Sequence, residues 1–409
     1  VLVKAKHKPE EAWKEYPTRT VGDLEVLSTA KVALDEFGGR ADRKTGDGGF
    51  FRAAQSGGRW WLVDPEGHPF IKVGVCSTAP GRGRVDVDKW ADETARLLRA
   101  NSFNGIGGWS RVEAFRADGR RLVYTPSWSF AAEFGRTKKL TFQQPGHMGF
   151  AGDLIPVFHP EFESFCDEYA KRLAAAKDDP WLLGHYSDNE LPAYADMLDR
   201  ALKHEATRDA AQAWLREHKG DREGFVEDVY DRYLRVTTAA IRKHDPNHLC
   251  LGPRLHGGAL KHPGILRAAG RHLDAVAMNV YNKWTPEPEL FEAWRTHLKK
   301  PVIVTEFYAK GADSGFANTT GAGWLVETQR DRALFYQNFV LGMLESKMCV
   351  GWDWFKYMDN DPNDTTADPS NRDSNKGIVK GNYEAYGELL EGMRELNGRV
   401  YQVVEWMDR

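Results

Sequence analysis

Pro301-Val-Ile-Val-Thr-Glu306-Phe307 is the stretch on which the fold turns. Four apolar or β-branched residues run into a single carboxylate, the pattern of a short buried strand that ends at a polar place. A carboxylate at the end of such a strand is costly unless it faces a polar cleft. The stretch therefore predicts both an element and a site.

Toward the N-terminus, further strands are expected over residues 273–280, 249–253, 181–187, 122–130, 103–109 and 70–76. Helices fall between several of them. Over 225–241, Phe225, Val229, Tyr233, Val236 and Ala240 share one side at helical spacing. Over 87–100 the face is Val87, Trp90, Ala91, Leu97 and Leu98. A helix over 160–176 opens with Pro and acidic residues. A partly helical insertion is expected over 192–222, and a Gly- and Pro-bearing loop over 131–159. Toward the C-terminus a long helix over 325–345 leads into a strand over 349–354, followed by a last helix over 383–396 and a tail strand over 400–405.

That is an alternation of eight strands with helices, which argues for parallel βαβ units. The expected fold class is α/β, a (β/α)8 TIM barrel with a small N-terminal β-hairpin section. Residues 1–69 read as a β-rich extension packed on the barrel, with short strands separated by turns at 56–58 and 64–67. Residues 70–409 read as the catalytic barrel. An open nucleotide-binding sheet is disfavoured, because the turn after the first strand, Gly74-Val-Cys-Ser-Thr-Ala-Pro-Gly81-Arg-Gly83, lacks GxGxxG spacing.

Bulk properties fit an ordinary globular chain: 409 residues, 41% hydrophobic, 28% charged and a formal net charge of −3. That balance favours neither nucleic acid nor a membrane surface as partner. No apolar run reaches 18 residues, so no membrane span is expected. The four cysteines are widely spaced and read as buried free thiols. The polar, basic start is not a signal peptide. Because the chain begins at Val, a trimmed export signal would make a secreted or periplasmic location reasonable; the compartment and the oligomeric state are not legible. The 14 Trp residues exceed ordinary usage; indole faces stack on apolar ligand faces, including those of sugar rings.

In a barrel, chemistry gathers at the C-terminal ends of the strands. The fourth expected strand ends in Gly184-His-Tyr-Ser-Asp-Asn-Glu190, and the seventh in Glu306. Two carboxylates delivered from those strands would face each other across the barrel mouth. That suits glycoside hydrolysis, in which one carboxyl protonates the leaving oxygen and the other attacks the anomeric carbon. The retaining route requires them about 5–5.5 Å apart. Other strand ends offer Arg254 and His256 in Gly252-Pro-Arg-Leu-His-Gly-Gly258. Trp109 and Trp128 are aromatic candidates. The direction in which Asn104 faces is open.

Asn189-Glu190 and Glu306 at those positions resemble the signature of the clan A retaining glycoside hydrolases, over about residues 70–398. Trp60-Trp-Leu-Val-Asp-Pro-Glu-Gly-His-Pro-Phe70, Asp188-Asn-Glu190-Leu and Gly351-Trp-Asp-Trp-Phe355 are similar to the family 50 β-agarases. The resemblance implies Glu190 as acid/base and Glu306 as nucleophile. It places Asn189 on the sugar 2-hydroxyl, Tyr281 on the nucleophile and Trp352 as a platform under the sugar. Trp284, which closes the run Met278-Asn-Val-Tyr-Asn-Lys-Trp284, joins the substrate-binding candidates. The stretch before residue 70 leaves no room for the long N-terminal carbohydrate-binding-like domain of larger agarases, which leaves the sugar more open than the reaction.

The implied activity is retaining hydrolysis of a β-linked galactan or related oligosaccharide. A β-galactosidase or other exo-β-glycosidase is the alternative, and a non-catalytic sugar-binding protein the alternative of another class. No cofactor is expected, and no metal at the site: His185 and His256 are available, but no HxH or HExxH spacing occurs. The acidic stretch 359–376 does not match an EF-hand loop. A serine hydrolase lacks its GxSxG elbow.

Overall fold

The computed structural model describes residues 1–81, 83 and 85–409. Arg82, inside the Gly74–Gly83 turn, lies outside the described residues. The chain is a mixed α/β fold with parallel sheet and divides into two compact units. The first comprises Val1–Pro126, Val280–Glu287 and Val302–Arg409; the second comprises Ser127–Asn279 and Pro288–Pro301. The first 69 residues thus cluster with the first unit.

The first unit is built on parallel strands in the order Val302–Glu306, Cys349–Trp354, Lys72–Val75, Gly105–Ile106 and Val123–Tyr124. Register is read from Val304 opposite Trp352, Trp352 opposite Val73 and Gly74 opposite Gly105. One side of this sheet is crowded by a buried ion pair, Lys72 Nζ with Asp353. Glycines make room for it. A Cβ on Gly74 would lie 2.1 Å from Asp353 Oδ1, and one on Gly351 2.6 Å from Lys72 Cβ. The alternation of a strand then sends Trp352 and Trp354 to the opposite side, where both are buried.

Helices cover this sheet for local reasons. Asp86 caps Val87–Ala100 by accepting from Lys89 N, and Trp90, Ala91, Ala95 and Leu98 form its buried face. Thr328 and Asp331 form a capping box that starts Gln329–Glu345. The N-terminal strand Leu2–Lys6 pairs antiparallel with Trp324–Val326 and with Lys14–Pro17. The hairpin Arg52–Ser56 and Arg59–Val63 extends to Pro69–Phe70.

The second unit contains the parallel pairs Gly184–Tyr186 with Leu249–Gly252 and Leu255–His256 with Val276–Asn279. The long helix Arg222–His244 begins at the Asp221 cap and ends in Arg242, Lys243 and His244, which suits the negative end of its dipole. Among the described residues no helix is long and apolar enough to cross a membrane.

Several segments differ from the sequence-based expectation: only Gly105–Ile106 of 103–109 is strand, and Leu325 and Val326 belong to the strand Trp324–Val326 ahead of the helix Gln329–Glu345. Only Val123–Tyr124 of 122–130 is strand, because Phe130 opens the helix Phe130–Thr137, whose first amides are held by the buried Asp188 carboxylate. The expected loop 131–159 therefore holds most of that helix and the hairpin Thr141–Gln143 with Met148–Phe150. The tail expected as a strand over 400–405 is the helix Val400–Met407, since Val400, Tyr401, Val403 and Val404 bury one helical face. Packing there overrides the β preference of a Val-rich run.

Candidate active site

In the second unit, Gly184–Tyr186 leads into four polar residues. Asp188 is fully buried and accepts from Ala131 N at 2.9 Å, Ala132 N at 3.2 Å and Tyr233 Oη at 2.7 Å. Burial nevertheless pushes its carboxyl up to about 7. These bonds fix the backbone that presents the next two residues. Asn189 Oδ1 accepts from Arg254 Nη1 at 3.1 Å and from Asn279 Nδ2 at 3.3 Å. Glu190 Oε1 accepts from Asn279 Nδ2 at 2.8 Å, and its backbone N–H donates to Pro253 O at 3.0 Å.

Glu190 and Arg254 both adopt left-handed backbone conformations, at φ 50° and 49°. Non-glycine residues held there cost of order 1 kcal/mol each, and such positions cluster where a side chain must be aimed. Arg254 is completely buried, with its guanidinium 5.6 Å from the centre of the Tyr186 ring. His147, on the turn of the 141–150 hairpin, brings Nδ1 to 3.9 Å from Glu190 Oε2, and its Nε2 lies 2.8 Å from Gln144 Nε2. The Gln144 amide thus engages Nε2 and leaves Nδ1 as the ring nitrogen turned toward Glu190.

In the first unit, Glu306 is the last residue of Val302–Glu306 and is 7% exposed. Tyr281 Oη donates to Glu306 Oε2 at 2.5 Å. A hydroxyl donor favours the ionised, oriented carboxylate. The Tyr281 ring meets the edge of Tyr308 at 5.7 Å, and Tyr308 lies 5.9 Å from Phe355. Burial raises the Tyr308 hydroxyl above its ordinary value, so it stays protonated. The Lys376 ammonium stands 5.2 Å from the centre of the Phe355 ring. Burial, then repulsion from Lys356, holds Lys376 well below the usual lysine range.

The structure thus brings together Glu190, Asn189 and Arg254, and separately Glu306 and Tyr281. Other candidates lie elsewhere. Trp352 is 1% exposed and donates Nε1 to Tyr336 Oη at 2.7 Å. It is buried against Tyr336, on the side of the strand opposite the Lys72–Asp353 pair, and is not an open platform. Phe355, just past that strand, is half-buried and so partly uncovered. Trp284 is also core: Nε1 donates to Thr18 Oγ1 at 3.1 Å, and the ring packs with Tyr16, Trp324 and Phe335. His256 is exposed, and so is Trp109, at 46%. Trp128 donates Nε1 to His185 Nδ1 at 3.0 Å, and His185 Nε2 bonds Asp245 Oδ2 at 2.7 Å. Asn104 binds backbone groups of Ile71 and Val73.

Asn279, His147 and Asp188 are the polar residues that strand-end reading passed over. Asn279 closes Val276–Asn279, so a closer bound on that strand finds it. His147 sits on a hairpin turn that carries no periodic signal.

No protein-family model matches the chain. The chain is similar to β-agarases. It is 22% identical to β-agarase B of Vibrio sp. (strain JT0107), across 97% of this chain and 53% of that protein. With β-agarase A of the same strain it is 29% identical, across 77% of this chain and 36% of that protein. The chain therefore spans about half the length of the first of these relatives and about a third of the second. Among solved structures, the crystal structure of BpGH50 matches with a TM-score of 0.88 and 28% identity, covering 100% of this chain and 96% of that one.

Proposed function

We propose that this chain is a retaining β-glycoside hydrolase of agarase-like type, folded as a (β/α)8 barrel, that cleaves a β-linked galactan or an oligosaccharide derived from one. The barrel spans residues 70–409 and the extension residues 1–69. The observation that carries the reading is the Tyr281 hydroxyl bound to Glu306 at the end of a buried strand. The likeness to two β-agarases and to BpGH50 supports the substrate class.

Glu306 is the nucleophile. Its ionised carboxylate attacks the anomeric carbon while Glu190 gives its proton to the glycosidic oxygen, which leaves as the alcohol. The glycosyl–Glu306 ester is then hydrolysed by a water that Glu190 deprotonates, returning both carboxyls to their starting states. Asn189, held by Arg254 and Asn279, is aimed at the sugar 2-hydroxyl, a bond that strengthens in the transition state. Phe355, rather than Trp352, is the aromatic offered to the sugar face.

The test is stereochemical. Agarose oligosaccharides and aryl β-galactosides are incubated with the chain, and the first-formed anomer is followed by NMR. Retention is expected. Glu306→Ala loses turnover, and Glu190→Ala with azide yields a β-glycosyl azide. A first product of inverted configuration overturns the double displacement.

A further inference from the structure

Away from Glu190 and Glu306, the turn at 64–68 and the turn at 35–39 place three carboxylates and an imidazole together. Asp35 Oδ1 accepts from the backbone N–H groups of Phe37, Gly38 and Gly39 at 2.9, 3.0 and 2.8 Å. Asp64 Oδ1 accepts from those of Glu66 and His68, both at 2.9 Å. Each carboxylate is thereby locked through one oxygen, and its other oxygen is turned away from the amides.

Those second oxygens converge. A Cβ built on Gly39 would meet Asp64 Oδ2 at 1.7 Å and Asp35 Oδ2 at 2.8 Å, so both border the same small volume and only glycine fits beside them. His68 Nδ1 lies 2.6 Å from Asp35 Oδ2 and 3.7 Å from Glu66 Oε2. The ligand atoms of Asp35, Glu66 and His68 all lie within 4.8 Å of one another. The inner side chains are closed to solvent: Asp64 is 0% exposed, Asp35 3% and His68 9%, while Glu66, at 47%, forms the outer rim.

His68 bonds Asp35 Oδ2 and leaves Asp64 Oδ2 unmatched. Asp64 Oδ2 is buried with no hydrogen-bond donor. A buried carboxylate oxygen without a donor is expensive, and a second carboxylate beside it adds repulsion. Glu66 is solvated at the rim, and the one imidazole is bonded to Asp35, so the buried Asp64 oxygen is the one left over. By contrast, the other buried His/Asp group, His185–Asp245–His248, is internally satisfied, since Asp245 accepts from both rings.

We propose that Asp35 Oδ2, Asp64 Oδ2 and His68 Nδ1, with Glu66 as the outer ligand, bind a divalent cation of the zinc class. One imidazole nitrogen with carboxylate oxygens is a borderline donor set that suits zinc better than calcium, whose sites are built from oxygen. The backbone amides on both Oδ1 atoms are the outer partners that orient metal-binding carboxylates. A closed site of this kind ties the 33–41 segment to the hairpin, alongside the bond from Arg40 N to Pro69 O.

The experiment needs no knowledge of the substrate. Untagged chain is stripped with chelator, then titrated with ZnCl2 and, separately, CaCl2 by calorimetry, with thermal unfolding followed in parallel. One zinc per chain is expected, with a rise in Tm that grows with free zinc as native-state binding requires. Asp64→Asn and His68→Gln each weaken zinc binding at least tenfold. The wild-type titration decides even if one variant fails to fold. Absence of saturable zinc binding, zinc binding unchanged in both variants, or a preference for calcium each overturns the assignment.

Discussion

Asn279 Nδ2 is shared between two acceptors, 2.8 Å from Glu190 Oε1 and 3.3 Å from Asn189 Oδ1. One amide thus sets the orientation of the proposed acid/base and of Asn189, the proposed partner of the sugar 2-hydroxyl. Asn279→Ala frees both. Proton donation matters most when the leaving oxygen is a poor leaving group. Turnover of an unactivated oligosaccharide should fall about 10- to 100-fold, as expected for losing a hydrogen bond to a charged group of about 1.5–3 kcal/mol. Hydrolysis of a dinitrophenyl glycoside, measured side by side, should fall far less in its glycosylation step. Equal losses on both substrates would mean that Asn279 acts on binding alone.

Tyr281 plays the matching part for Glu306, the proposed nucleophile. Its hydroxyl stabilises the ionised form of Glu306, so Tyr281→Phe raises the proton affinity of that carboxylate. The acidic limb of the kcat/KM profile should move to higher pH, and turnover at the optimum should drop about tenfold or more. A profile that keeps its acidic limb in the variant separates Tyr281 from Glu306.

How much of this the sequence discloses depends on what each residue's neighbours do. Glu190 and Glu306 are legible because an apolar run carries a carboxylate at its end only at a cost, unless a polar site receives it. The helix Val87–Ala100 and the strand Cys349–Trp354 are legible to the residue, since caps, periodicity and turn residues agree. Trp352 shows the limit. Parity along its strand puts it on the same side as Trp354, but that this side is closed and the other is filled by Lys72 with Asp353 depends on residues far apart in the chain, in that pair 281 positions. The Val400–Met407 helix fails locally for a similar reason, because its valines suit a strand until a helical face is needed. His147 reaches Glu190 through a hairpin turn, and no spacing rule points to it.

The Lys72–Asp353 pair gives a stability test. Both groups are completely buried. Removing one leaves an uncompensated charge, at a cost of about 3–5 kcal/mol. Lys72→Met and Asp353→Leu should each lower the denaturant midpoint strongly, and the double variant should recover part of the loss. Strict additivity in the double-mutant cycle argues that glycine-lined packing, not charge, is what the pair supplies.

Asp245 gives a pH test in the other unit. Its carboxylate accepts from His185 Nε2 at 2.7 Å and from His248 Nδ1 at 2.8–2.9 Å. Burial alone would raise its proton affinity, but the bonds from the two rings outweigh it and hold the group well below the ordinary carboxylate range. A group depressed in the folded state contributes stability that is complete above its unfolded pKa, near 4, and is lost as pH falls toward the folded value. Asp245→Asn removes the charge that both imidazoles bond to, which should cost about 3 kcal/mol at pH 7. The difference from wild type should hold from pH 7 down to about 5 and narrow below pH 4, where the unfolded wild-type chain takes up the proton that its folded state refuses. Urea unfolding at a series of pH values measures it. A gap that stays constant down to pH 3 would assign the loss to packing of the two rings instead of to the charge between them.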